Sequence, residues 1–388
     1  MPKFEIELRK DLMIIGIVKE TKADEYRVAA TPRTVDLLVK DGNQVLIQTK
    51  AGESSGFPDK EYAQNGATIL REAAEIWNQA EMIYHIKEPM PDEYSLLRED
   101  QIFFGYLHLA AARELTQVLL KRRVAGIAFE TMELPDGSLP LLDPMSEVAG
   151  KVAIQSAAYY LGKIHNGCGK LLGGVTGVPP GKVVILGGGV VGTNATKVAL
   201  GLGARVVIID KSITRLRYLN EILHGRFETM ISNPNNVADA VKDADVVVGC
   251  VLTKGCKSPI VLTRQMVKSM KPGAVIADVA VDQGGCVETT HPTTHSNPVY
   301  MAHGVIHYCV TNIPSMFPQT STIALSNATI PYARKLANLG FKETMRCDET
   351  FRKGLNVYRG RITNEFVAKS LGLEYSPFSE INSEGEMS

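Results

Sequence analysis

Four stretches carry side chains suited to holding a small polar substrate and moving protons: Lys19-Glu-Thr-Lys-Ala-Asp-Glu-Tyr-Arg-Val-Ala-Ala-Thr-Pro32, Ile86-Lys-Glu-Pro89, Tyr106-Leu-His-Leu-Ala110 and Ala280-Val-Asp-Gln-Gly-Gly285. Arg27 offers a planar fork of donors that matches a carboxylate. Lys87 offers a point charge, and His108 is the side chain that titrates nearest neutral pH. Asp282 sits in a glycine-flanked turn and can accept a proton. A fifth stretch, Val183-Val-Ile-Leu-Gly-Gly-Gly-Val-Val-Gly192, sets Gly187-x-Gly189-x-x-Gly192 after a buried apolar run and ahead of a helical pattern at 193–202. The first glycine permits a tight turn, the second lets backbone approach a pyrophosphate, and the third lets helix and strand pack closely. Asp210 follows Gly192 by 18 positions, at the end of the next apolar run, where an acid can accept both ribose hydroxyls of NAD. Its charge repels the 2′-phosphate of NADP, so NAD is the expected cofactor, although Lys211 and Arg215 are basic residues within reach of such a phosphate.

Short β-branched runs alternate with segments of helical period, the pattern of an α/β protein built from βα units. In the first third, 14–18, 44–48, 82–86, 102–106 and 126–129 read as buried strands, with helices at 31–41 and 92–97. A second set of strands begins at Lys182: 183–186, 205–209, 245–249, 274–277 and 304–308. An amphipathic helix at 147–165 and a glycine-rich connector separate the sets. Helices at 320–339 and 347–357 follow without a strand partner and are expected to return to the first domain. The organisation expected is two Rossmann-like doubly wound domains, one inserted into the other: 13–140 plus 319–375 for substrate, 141–318 for NAD, and tails at 1–12 and 376–388, the latter disordered.

Composition narrows the function. Among 388 residues, 42 basic and 42 acidic side chains cancel, which gives no field to attract nucleic acid or an anionic membrane. Apolar residues at 45% and charged residues at 22% are globular values that exclude a disordered or fibrous chain. The six cysteines form no CxxC pair or secreted framework, which points to a reducing cytoplasm. Residues 289–333 contain no Asp, Glu, Lys or Arg and many prolines, and read as buried loops beside a ligand. Cys286, His291, His295, His303, His307 and Cys309 crowd together there, but Pro292 interrupts the one helical spacing and no pair has zinc-ligand spacing, so no metal is expected.

With these motifs in order on both halves, together with Ala51-Gly-Glu-Ser-Ser-Gly56, Leu141-Leu-Asp-Pro-Met-Ser-Glu-Val-Ala-Gly150 and Thr320-Ser-Thr322, the chain closely resembles the NAD-dependent alanine dehydrogenases from about residue 13 to 375. The resemblance implies reversible oxidative deamination of L-alanine to pyruvate and ammonium, in a homohexamer. It implies that Arg27 and Lys87 hold the substrate carboxylate, Lys87 also touching the carbonyl oxygen. His108 would bond the keto oxygen and exchange its proton, and Asp282 would act in water attack on the imine. It implies a cofactor site of Ser146, Gly187, Gly189, Val190, Val191, Gly192, Asp210, Arg215, Ser232, Val251, Leu252, Val279, Ala280, Val281, Asp282, Asn312 and Ile313, with Glu130, Leu142 and Met145 near the substrate. Met316, Phe317 and Gln319 depart from the family pattern where a lid over the cofactor would lie, which bears on substrate range.

Two related families offer rival readings. The NAD-binding component of a proton-pumping nicotinamide transhydrogenase resembles both halves, but lacks the counterparts of His108 and Asp282. Reductases of the saccharopine type share the architecture and reduce an imine that joins two amino acids.

Overall fold

A computed structural model describes residues 13–251 and 258–385. Leu252 and the expected N-terminal tail therefore lie outside the described residues. Fifteen strands are present among them: β1 (Ile14–Ile17), β2 (Gln44–Gln48), β3 (Thr68–Leu70), β4 (Met82–Tyr84), β5 (Ile102–Gly105), β6 (Ala125–Ala128), β7 (Lys182–Leu186), β8 (Arg205–Asp210), β9 (Phe227–Ile231), β10 (Val246–Gly249), β11 (Val275–Asp278), β12 (Val299–Ala302), β13 (Val305–Tyr308), β14 (Leu355–Tyr358) and β15 (Arg361–Ile362). The chain divides into two compact units, Met1–Met145 with Phe317–Ser388, and Ser146–Met316.

The first unit holds an eight-stranded sheet in the order β15-β14-β6-β5-β4-β1-β2-β3. From β3 to β6 every pairing is parallel, and β14 joins β6 antiparallel. Parallel strands are covered on both faces, so β1, β4, β5 and β6 are almost wholly buried and read as continuous apolar runs. Ile83, Phe103, Trp77 and Leu119 pack together on one side of this sheet. The helix Pro32–Lys40 starts where Thr31 caps it, accepting from the Thr34 N–H at 3.3 Å, with a proline in its first turn. The order reverses between β1 and β4, and ligands of open α/β sheets bind at the carboxyl ends of strands at such a switch point.

The second unit holds seven strands in the order β12-β13-β11-β10-β7-β8-β9, parallel except for the edge pair β12 and β13. Its switch point lies between β7 and β10. The helix Val190–Gly201 turns a small-residue face, Gly192, Ala195 and Ala199, inward. A Cβ on Gly192 would stand 1.9 Å from the Gly187 carbonyl oxygen, so only glycine allows this approach of helix to turn.

Several local expectations differ from the structure. Residues 92–97 form no helix; Pro91–Glu93 is a single 3-10 turn, too short for its period to have been decisive. The helix placed at 147–165 runs Asp143–Tyr160, and a 3-10 turn follows at Lys163–His165. The uncharged stretch at 289–333 is only in part the expected loop: residues 289–298 are irregular and largely open to solvent, and β12, β13, a 3-10 turn and the start of a long helix make up most of the rest, because a charge-free run is equally the mark of buried regular structure. That helix, Pro318–Cys347, breaks at Gly340, whose φ of 74° and ψ of 168° no helix contains. Beyond it, the helix is only Glu349–Gly354, and Leu355 begins β14, so the returning segment does have a strand partner. Finally, the tail expected to be disordered forms the helix Phe378–Gly385, on which Ile381 is buried.

Candidate active site

At the switch point of the first sheet, the loop after β1 supplies Glu20, Glu25 and Arg27, and the segment after β4 supplies His85 and Lys87. Arg27 is 2% exposed and its fork is engaged. Its Nε and Nη2 donate to the two oxygens of Glu25 at 2.7 and 2.6 Å, and Nη1 meets Met145 Sδ at 3.0 Å. The paired-donor edge expected to take a substrate carboxylate thus faces an internal carboxylate. Burial opposes the Arg27 charge, but the Glu25 ion pair outweighs it and raises the guanidinium further above its ordinary range. The loop is tied down beyond Arg27, where the Val28 N–H donates to Thr322 Oγ1 at 3.2 Å and the Thr31 N–H to Ser326 Oγ at 3.2 Å.

Lys87 is buried, and its ammonium lies 5.9 Å from the centre of the Tyr106 ring. Burial lowers its pKa, aided by Arg27 and Lys22. Tyr106 in turn donates to the Leu141 carbonyl at 2.5 Å and stacks parallel to the His108 ring, with centroids 5.7 Å apart. His108 is exposed and has left-handed backbone, φ 49° and ψ 35°. Its N–H donates to Glu130 Oε1 at 2.7 Å. Lys87, His108, Tyr106 and Glu130 therefore share one neighbourhood at the carboxyl ends of β4 to β6, and Met145 reaches the same place through Arg27. Glu88, beside Lys87, is ion-paired with Lys22.

In the second unit the residues expected to line a dinucleotide gather on the carboxyl edge of the parallel strands. Gly187 to Gly192 follow β7, Asp210 ends β8, Ser232 follows β9, Val251 follows β10, Val279 to Asp282 follow β11, and Asn312 and Ile313 lie beyond β13. Asp210 Oδ2 accepts from the Gly188 N–H at 2.7 Å and Oδ1 from the Ser212 N–H at 2.8 Å. Arg215 Nε donates to the Gly188 carbonyl at 2.5 Å and Nη2 to Thr193 Oγ1 at 2.9 Å. It braces the glycine turn from these positions. Ser146 lies on the helix Asp143–Tyr160, one helical turn before Gly150, whose hypothetical Cβ would meet the Val191 carbonyl oxygen at 2.2 Å. Asp282 is exposed in the 3-10 turn Val281–Gln283 and accepts from the Asn312 N–H at 3.4 Å.

The glycine turn fits a dinucleotide phosphate. A Cβ on Gly189 would meet no atom within 4 Å, and the helix Val190–Gly201 starts there with no side-chain cap on its first-turn amides. Space and uncapped donors at a helix N-terminus are what a pyrophosphate needs.

Some site residues escaped the motif reading. Glu20, Glu25 and Tyr106 act on the expected residues from within the quoted stretches, and His85 from the position just before Ile86-Lys-Glu-Pro89. Asp278 is buried and holds the turn that carries Asp282: it accepts from Thr290 Oγ1 at 2.7 Å and from the Ala280 and Cys286 amides at 3.1 Å each. Burial raises its pKa despite these bonds. The histidines and cysteines at 286–309 do not converge on one point. His307 bridges Thr289 and the Val305 carbonyl, His291 stacks on Tyr300, and Cys286 faces Asp278. Among the described residues no group of three or more such side chains is arranged to hold a metal ion.

Family models for the N-terminal and C-terminal domains of alanine dehydrogenase/PNT match residues 16–149 and 153–365. The chain belongs to the alanine dehydrogenase/PNT family. Within that family it is 51% identical over 366 residues to an alanine dehydrogenase of Methanococcus maripaludis, covering 94% of this chain and 98% of that one. It is 50% identical over 365 residues to an alanine dehydrogenase of Staphylococcus haemolyticus, with the same coverage. A solved L-alanine dehydrogenase superposes with a TM-score of 0.89 at 49% identity, over 93% of this chain and 99% of the other. A transhydrogenase of Sinorhizobium meliloti, at 23% identity and a TM-score of 0.77, shares the alanine dehydrogenase/PNT fold.

Proposed function

We infer that the protein is an L-alanine dehydrogenase, interconverting L-alanine with pyruvate and ammonium. The observation that carries this is identity at about half of all positions with alanine dehydrogenases of two distant organisms, over nearly the whole of both chains. NAD is the dinucleotide we propose, because Asp210 puts a carboxylate at the end of β8 and Arg215 is engaged by the glycine turn.

Bound at the glycine turn, a nicotinamide dinucleotide supplies the two-electron acceptor for the substrate Cα–H bond. The remaining work falls to side chains. Lys87 attracts the substrate carboxylate and the oxygen on Cα, while Arg27 adds positive charge from behind its pair with Glu25. Loss of the Cα hydrogen with its electrons leaves an iminium, and water adds to that carbon. Asp282 takes the proton that water releases. The proton held by Asp282 passes to the nitrogen, and as the C–N bond breaks His108 takes the proton of the new oxygen, which leaves ketone and ammonia; the ammonia takes up a further proton to become ammonium. The reverse amination uses the same groups in the opposite order.

We assign the protein to the cytoplasm as a homo-oligomer, a hexamer on the family resemblance, with no nucleic-acid or membrane partner. An exposed apolar series in the second unit, including Tyr159, Ile164 at 87% exposure and Leu171 at 66%, supports self-association. No helix among the described residues is long and apolar enough to cross a membrane. The test is NADH formation from NAD with a panel of L-amino acids, together with sedimentation of the purified protein. NADH formed from L-alanine is expected; none from any amino acid would overturn the reading.

A further inference from the structure

Beneath Lys87 lies a buried acid and base that the reaction above does not use. Glu20, on the loop after β1, reaches across to the segment after β4. Its Oε1 accepts from the Ile86 N–H at 2.7 Å and its Oε2 from the Lys87 N–H at 3.3 Å. His85 Nδ1 lies 2.7 Å from the Lys87 carbonyl oxygen and 3.2 Å from Glu20 Oε1. A carbonyl oxygen and a carboxylate only accept, so Nδ1 carries the hydrogen. His85 Nε2 is buried with no protein partner, and the ring packs against Phe103. Both the peptide N–H and the carbonyl of Lys87 are thus held by one carboxylate–imidazole pair spanning the switch point.

We propose that Glu20 and His85 are positioning residues that set the place of Lys87 and make binding of the substrate carboxylate respond to pH. The inference rests on the reading of Lys87 as a substrate cation. Glu20 faces His85 and Glu25; His85 faces Glu20, Glu93 and Glu25; and Lys87 faces Arg27, Lys22, Glu88 and Glu25. Burial raises Glu20 to about 7, and Glu20 raises His85 against the effect of burial, so the pair gains a proton as pH falls through neutrality. A proton on Glu20 removes an acceptor from the Ile86 and Lys87 amides and frees the Lys87 segment from its place. That change loosens the grip on a carboxylate as pH falls.

The test is the affinity of pyruvate for the enzyme–NADH complex without ammonium, where amination cannot proceed, read by NADH fluorescence at about pH 6 and about pH 8, either side of the Glu20 value. Pyruvate stays ionised throughout. Wild type should bind several-fold more weakly at the lower pH. Glu20→Gln places an amide donor among donors, and should weaken pyruvate roughly tenfold at the higher pH, abolish the pH response and leave NADH affinity within about twofold. His85→Asn removes the imidazole that lowers Glu20, and should move the response to higher pH even if Glu20→Gln does not fold. Lys87→Ala should lose both affinity and response. An enzyme active on L-alanine whose pyruvate affinity is equally pH-dependent in wild type, Glu20→Gln and His85→Asn overturns this inference alone. Retained pyruvate affinity in Lys87→Ala overturns it through Lys87, and an enzyme inactive on L-alanine overturns the functional reading beneath it.

Discussion

Glu130 holds His108 by its backbone and leaves the imidazole to other work. One carboxylate oxygen accepts from the His108 N–H at 2.7 Å, and both accept weakly from the Leu107 N–H at 3.3 and 3.4 Å. The residue so held has left-handed φ and ψ, which costs a non-glycine residue about 1 to 2 kcal/mol. The carboxylate offsets that cost, and the parallel Tyr106 ring sets the direction of the imidazole.

Removing the carboxylate should therefore act through His108. Glu130→Ala is expected to lower turnover on the order of 10- to 100-fold, as a small misplacement of a catalytic group does. His108→Ala should lose about 10²- to 10⁴-fold, the usual contribution of a general acid or base, with NADH affinity intact. Steady-state kinetics with a thermal melt decide it; a well-folded His108→Ala enzyme with normal turnover would sink the mechanism.

Arg27→Lys keeps the charge but cannot span both oxygens of Glu25. Its KM for alanine and pyruvate should rise while NADH affinity stays. Because the broken pair is buried, the melting temperature should also fall, and a variant as stable as wild type would show that the Glu25 pair contributes little.

Asp210→Ala removes a ribose acceptor together with the charge that repels a 2′-phosphate. Hydrogen bonds to charged groups contribute about 1.5 to 3 kcal/mol, so preference for NAD over NADP should fall by roughly one to two decades. Unchanged kinetics with both cofactors would remove Asp210 from the ribose site.

The two outer-turn glycines should respond differently to the same methyl group. Gly189→Ala has no atom to strike and should fold normally, yet bind NADH weakly because the Cβ occupies the phosphate approach. Gly192→Ala drives a Cβ into the Gly187 carbonyl and should lose stability as well as binding. Melting temperatures beside NADH titrations separate the two cases, and equal stability would contradict the packing described.

Glu20 should leave a signature in stability as well as in binding. The unfolded chain releases this proton near 4.5 and the folded chain near 7. The stabilising contribution is complete below 4.5 and is lost as pH rises to 7; His85, also raised, acts with the same sign. Denaturation midpoints of wild type and Glu20→Gln should therefore shift in favour of the glutamine variant across that window and run parallel above it.

Much of this was legible before any coordinates. The tight turn at Gly187 and the close approach at Gly192 are readable because they act locally, within one βα unit. Continuous apolar runs marked β1, β4, β7 and β10 for the same reason. What stayed hidden depends on partners distant in sequence. The β14 segment reads as helix because its pairing with β6 is more than two hundred residues away, and β3 and β15 are too short to show a period. The engagement of Arg27 by Glu25 turns on rotamers that spacing does not encode, and the grip of Glu20 on the Lys87 segment exists only once β1 lies beside β4.

The threading of the first unit also sets a timetable for its birth. Its sheet ends at β6 until β14 is made, and the loop bearing Arg27, already held by Ser55 and Tyr62, lacks its further anchors until Thr322 and Ser326 have been translated. A nascent chain stopped at Met316 carries every residue of the second unit but an unpaired strand edge and a partly tethered Arg27 loop in the first. Loss of the residues from Phe317 onward therefore disables the half that was synthesised first, and native assembly of that half waits for them.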